Sequence, residues 1–183
     1  EDLQGFIGQE AMHGREHRVY NERLAEMGYD VARLERDSIK LLRGVSGKNP
    51  LNKLAVTCAL EHFTGILAEV LLRNPELIPE HSHPEMRAMW MWHAVEENEH
   101  KAVCYDVYQS VAGGPTGYLR RTGWMATVTV LFWARVFQNQ AHLIQRDGIA
   151  TDWRGWLNLG KFAFTAPGGL RRASGLRRHG RAG

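Results

Sequence analysis

Three stretches of this 183-residue sequence place carboxylates and imidazoles at spacings that share a helix face. In the first, Glu10 and His13 stand three residues apart, with His17 one turn further along. In the second, Glu97 and His100 repeat that spacing, and His93 lies four residues before Glu97. Side chains three or four residues apart on a helix point toward one spot. In the third, Glu61 interrupts an apolar segment over residues 54–72. An ionised carboxylate there is costly unless it is paired or bound to a metal. A carboxylate can bridge two cations through its two oxygens while the imidazole three residues on binds one of them. Two Glu-x-x-His pairs, with a Glu from each of two further helices, build dinuclear sites in helical bundles. Such mixed oxygen and nitrogen donors suit iron or manganese. One Glu-x-x-His is weak evidence, whereas two with a core Glu on the helix between them are specific.

Blander readings stand beside this one. Arg15, Glu16, Arg18 and Glu22 make the first helix polar on several faces, so Glu10 and His13 also fit a solvated surface. Glu96, Glu97 and Glu99 form a charge run, which usually marks a wet face. Only Glu97 shares the register of His93 and His100, so Glu96 and Glu99 are expected to face water. His62 points about 100° away from Glu61, toward the surface or behind the ligands. His17 fits either a partner of the metal ligands or a structural histidine. With Tyr105 it is a candidate for supplying a proton beside the metal. His81 and His83 flank a helix start, and His142 and His179 lack a partner pattern. Cys58 and Cys104 fit apolar filler or the wall of a cavity.

The elements that must hold these groups all read as helices. The spans expected are residues 3–27, stopped by Gly28; 30–42, with Val31, Leu34, Ile39 and Leu42 as its stripe; and 50–73, opened by Asn49-Pro50. A fourth helix is expected from a Ser82-x-x-Glu85 capping box to Val111, closed by Gly113-Gly114-Pro115. A fifth covers 118–146 and a short sixth 153–164. The fold class is therefore all-α: a helical bundle over residues 1–147, a peripheral helix in 148–165, and a basic Gly/Arg-rich tail over 166–183.

Composition narrows the function classes. Hydrophobic residues make up 44% and charged residues 23%, an ordinary globular balance. Residues 1–147 hold 16 Lys/Arg against 19 Asp/Glu, while residues 148–183 hold 7 against 1. The basic charge belongs to the tail, so nucleic acid is not an expected partner. The two cysteines make no disulfide framework and fit a reducing, cytoplasmic location. No uncharged run exceeds the 13 residues of Thr122–Ala134, short of the roughly 20 that a spanning helix needs.

The segments 5–17 (GFIGQEAMHGREH), 60–64 (LEHFT) and 92–101 (WHAVEENEHK) resemble the family of predicted metal-dependent hydrolases. That family in turn resembles the ferritin-like p-aminobenzoate N-oxygenase group of di-iron enzymes. The likeness covers about residues 1–147 and implies Glu10, His13, Glu61, His93, Glu97 and His100 as ligands of two divalent ions, iron or manganese. His93 matches the extra histidine of the N-oxygenase group. Both families place one more Glu on a helix preceding the first Glu-x-x-His, and this sequence starts inside the helix of Glu10. The expectation is a bundle lacking its first helix, with an apolar groove where that helix packs.

The expected function is metal-assisted hydrolysis or dioxygen-dependent oxidation of a small organic molecule, with Glu10 and Glu97 bridging and the histidines terminal. A homodimer is compatible with it. The alternative is a non-catalytic protein that docks on a helix or a membrane surface and keeps a vestigial metal site. It rests on the aromatic run 124–137 and on Trp153 and Trp156 beside the Arg-rich end.

Overall fold

The computed structural model describes residues 2–47, 49–100 and 102–165, and the expected basic tail over 166–183 lies outside them. Among the described residues the chain is all helix: α1 (Asp2–Glu26), α2 (Val31–Ser46), α3 (Pro50–Arg73), a 3-10 turn (Pro75–Leu77), α4 (Pro84–His100), α5 (Val103–Ala112), α6 (Pro115–Arg146) and α7 (Trp153–Thr165). The described residues fall into two compact units, divided between Gln140 and Ala141. The candidate ligands all fall in the first.

Local chemistry accounts for most boundaries. After α1, the Gly28 amide bonds to the Ala25 carbonyl and the Tyr29 amide to that of Leu24. This is the paired pattern of a Schellman end, and Gly28 takes the required positive φ of 87°. Gly148 closes α6 the same way at φ 70°. Asp30 caps α2 by accepting from the Arg33 amide at 3.1 Å. Asn49 caps α3 by accepting from the Leu51 and Asn52 amides, with Pro50 at the first helical position.

Three boundaries differ from expectation. α2 continues past Gly44 to Ser46, because Gly44 sits in open space and Gly47 supplies the positive φ that ends the helix. α4 opens at Pro84, with the Arg87 amide bonding to the His83 carbonyl, so His83 rather than Ser82 occupies the cap position. The expected fourth helix is interrupted after His100 and resumes at Val103. No Gly or Pro marks that break.

α3 is the axis of the first unit. Its buried positions are Ala55, Val56, Cys58, Ala59, Gly65 and Ala68. Small side chains let α4 and α5, its main neighbours, approach closely. Ala55 and Cys58 meet Cys104 and Tyr108 of α5, while Val56 and Ala59 meet Val128 of α6. Among the described helices α3 is also the one long and apolar enough to cross a membrane, with a mean hydropathy of 1.5. Burial inside the bundle covers 33% of that apolar stretch.

The turn from α5 to α6 is held by a buried hydrogen bond. Tyr108, fully buried, donates its hydroxyl to the Gly117 carbonyl at 3.0 Å. The backbones cross so closely here that a Cβ on Gly117 would lie 1.5 Å from the Ala112 carbonyl oxygen. Gly117→Ala should therefore destabilise the protein by at least ~1–3 kcal/mol, the usual cost of overpacking. Gly123→Ala, where a Cβ meets nothing within 4 Å, should gain about 0.5–1 kcal/mol from helix propensity. Denaturant unfolding of the two variants checks the pair.

Candidate metal centre

α1 presents Glu10, His13 and His17 at spacings of three and four residues, and α4 presents His93, Glu96 and Glu97 in the same manner. Where the two helices face one another, the imidazoles gather. The ring centres of His13 and His17 are 4.6 Å apart, those of His13 and His93 4.5 Å, and those of His17 and His93 4.9 Å. One nitrogen from each of the three lies within 4.8 Å of the others, a spacing that a single cation can span. Trp90 packs edge-on against His93 and His17, at 5.3 and 6.3 Å, and walls the cluster on the side of Tyr20.

Carboxylates close the other side. His13 Nδ1 is 3.3 Å from Glu96 Oε2, and its Nε2 is 3.7 Å from Glu97 Oε1. His93 Nε2 lies 3.8 Å from the same Glu97 oxygen. Glu96 and Glu97 are both buried, at 3% and 7% exposure. Glu61 reaches the cluster from α3. Burial, then the charges of Glu97 and Glu10, push its carboxyl up to about 7. Burial likewise pushes Glu96 up to about 7, with Glu10, Glu97 and Glu99 adding to the effect. Five carboxylates from three helices, Glu10, Glu61, Glu96, Glu97 and Glu99, are thus linked electrostatically.

The imidazoles respond in the opposite sense. Burial and the neighbouring His13 hold His93 down to about 4, against the pull of Glu97. Burial and His13 also lower His17. Near neutral pH His93 is therefore uncharged and free to offer a lone pair, the state a metal ligand needs. The nearby thiols are not in that state: burial raises Cys58 to about 11 and Cys104 to about 12. Cys58 Sγ instead donates to the Cys104 carbonyl at 3.1 Å.

His13 Nδ1, His93 Nδ1, Glu61 Oε2 and both Glu96 oxygens are buried without a hydrogen-bond partner. The 3.3 Å approach of His13 to Glu96 lacks hydrogen-bond alignment. Each such orphan costs about 1–3 kcal/mol. Buried oxygen and nitrogen donors turned toward one another fit a cation.

Of the residues marked by spacing, His13, His93 and Glu97 meet directly, and Glu10 and Glu61 join them electrostatically. The side chain of His100 lies outside what the structure describes. His17 enters the imidazole cluster itself. Glu96, expected to face water, is among the most buried polar groups, while Glu99 is exposed as expected. The signal for Glu96 was present, since it stands three residues after His93. Tyr105 turns to α6: its hydroxyl accepts from Gln109 at 3.0 Å and its ring lies under Arg121. His62 is exposed.

Without metal, this arrangement strains the fold in a pH-dependent way. Glu61, raised in the folded state, stabilises fully below about pH 4.5 and loses that contribution as pH rises through 7. His93, lowered, stabilises above about pH 6.5 and loses its contribution as pH falls through 4. Chelator-treated Glu61→Gln should therefore be more stable than the parent at pH 8, by on the order of 1–2 kcal/mol after discounting for partial exposure. The gain should vanish at pH 4 and reverse with saturating divalent metal, as read by thermal unfolding.

No curated protein and no solved structure matches the chain. A family model described as predicted metal-dependent hydrolase matches residues 1–177, nearly the whole sequence. With the imidazole cluster and the orphaned donors of α1, α3 and α4, that match assigns the chain: it belongs to the family of predicted metal-dependent hydrolases.

Proposed function

We propose that the centre between α1, α3 and α4 holds two divalent cations in a ferritin-like carboxylate site and hydrolyses a small organic substrate. The observation that carries this reading is the set of buried, hydrogen-bond-free donors on His13, His93 and Glu61. His13, His17 and His93 would supply nitrogen, and Glu10, Glu61 and Glu97 oxygen. Three imidazoles and three carboxylates with two oxygens each offer more donor atoms than one tetrahedral or octahedral ion takes up, which favours two ions. The metal, when bound, supplies Lewis-acid polarisation and an acidified water for attack near neutral pH.

The protein's own contribution is a groove and a proton carrier. A groove of about 630 Å³ runs between α1 and α4, with Met12, Met89, Trp92 and Val95 as its apolar lining and Glu96 in its wall. Gln9 donates to Glu99 across it at 3.0 Å and ties the two helices together. Glu96 thus borders both the imidazole cluster and the space a substrate would enter. From that place its carboxylate can take a proton from an attacking water and return it to a leaving group.

A second reading has one observation in its favour. With Glu96 counted, four carboxylates stand beside three imidazoles, a mixed oxygen and nitrogen set that also suits iron and oxidation by dioxygen. Metal choice separates the two: hydrolysis of aryl esters or phosphates with redox-inert zinc supports the first, and turnover that needs both iron and dioxygen supports the second. Metal analysis should give close to two ions per chain, falling on Glu97→Ala. His17→Ala should weaken metal affinity about 10–100-fold. Glu96→Gln should retain metal and lose about 10²–10⁴ in kcat. Absence of bound metal from the parent protein would overturn the proposal.

A further inference from the structure

Within the second unit, α7 keeps its apolar side chains in water. Residues 153–162 are all exposed. Five of them are large and apolar: Trp153, Trp156, Leu157, Leu159 and Phe162 are 48–63% exposed. At 100° per residue, Leu159, Trp156, Trp153 and Leu157 share one arc of roughly 160°. Arg154, Asn158 and Lys161 fall within roughly 60° on the other side, with Phe162 at the border. A helix of 13 residues is marginal in water on propensity alone. The two-faced pattern therefore needs a surface to fold against.

The start of the helix is fixed locally. Asp152 accepts from the Arg154 amide at 3.1 Å, and its carbonyl accepts from the Trp156 amide at 3.1 Å. The Trp156 indole donates to the Ala150 carbonyl at 2.9 Å. Its ring can thus leave water without stranding a donor. The Arg154 guanidinium lies 5.4 Å from the centre of the Trp153 ring, where the two faces meet.

Charge decides what covers the apolar arc. From position 153 to 183 the sequence holds seven Lys/Arg and no Asp/Glu. A second copy would set two such cationic segments side by side. Nucleic acid would meet the charges and leave the apolar arc in water. An anionic lipid surface satisfies both faces, because indole rings favour the boundary below the headgroups and basic side chains reach back to them. At about 20 Å, the helix is too short to cross a hydrocarbon core of roughly 30 Å, so it lies in the plane. The aromatic run over 124–137 does not share this role, since Trp124 and Phe132 pack into the core of the first unit.

We propose that α7 is an in-plane anchor on an anionic lipid surface. Trp153, Trp156, Leu157 and Leu159 enter the boundary between headgroups and acyl chains, and Arg154 and Lys161 meet the headgroups. The anchor is independent of the metal centre and of the chemistry proposed there. Co-sedimentation of the full chain with phosphatidylcholine vesicles, with and without about a third phosphatidylserine, tests it at about 0.1 M salt. Binding to the anionic vesicles is expected, at least about tenfold tighter than to the neutral ones, and it should survive chelation. Lys161→Gln should weaken it about fivefold. Leu157→Glu keeps all seven cations and should still abolish binding, with the helical circular dichroism unchanged. Acyl chains carrying bromine should quench tryptophan emission of the bound parent. The double variant Trp153→Phe, Trp156→Phe should still sediment and escape that quenching, which decides the matter if Leu157→Glu does not fold. No binding, equal binding to both vesicles, unchanged binding in a folded Leu157→Glu, or no quenching of the bound parent would each overturn the inference. So would a vesicle-free dimer that Leu157→Glu splits, because a second copy would then own the face.

Discussion

Between α1, α3 and α4 the protein confines carboxylates and imidazoles away from water, and the rest of the first unit is arranged around that confinement. Glu96 and Glu97 are buried on adjacent positions of α4, and Glu61 meets their field from α3. In a medium of low polarity like charges cannot all persist, so protons redistribute: Glu61 and Glu96 keep theirs more tightly, and His17 and His93 shed theirs more readily. Such a cluster is a poor source of stability by itself. Its worth lies in readiness, because neutral imidazoles and crowded carboxyls give up little when a cation replaces their protons.

That confinement explains the plainness of the surroundings. α3 carries alanine, cysteine and glycine at its buried positions, so α4 and α5 can approach it closely. Close approach brings Glu61 within electrostatic reach of Glu97 and Glu10. The thiols fill the space beside Glu61 without competing for metal, since burial keeps both protonated. The α5–α6 turn closes the unit below them through Tyr108 and Gly117.

Much of this was legible from spacing. Glu10–His13 and His93–Glu97 predict shared faces, and the structure brings His13, His93 and Glu97 to within 3.7–3.8 Å contacts. Helix ends were readable where Gly28, Asn49 and Pro50 mark them. Glu96 was misread because a run of glutamates is usually solvated, whereas here two adjacent positions of α4 both turn inward, one toward each imidazole nitrogen of His13. His17 could not be placed by period alone, since its partners His93 and Trp90 come from another helix. The break after His100 has no local breaker, so only the packed structure reveals it.

α3 separates two compartments with consecutive residues: Leu60 packs with Val56 and Val128, and Glu61 joins the carboxylate cluster. The phase of that helix is therefore an inherited constraint of its own. Adding or removing one residue between Pro50 and Leu60 would turn everything beyond it by about 100°, carrying Glu61 out of the carboxylate cluster. Substitutions along α3 are judged one side chain at a time, but an indel is judged by both compartments at once. A change of length that spares this phase belongs in the connections at either end of α3, beyond its caps Asn49 and Asn74.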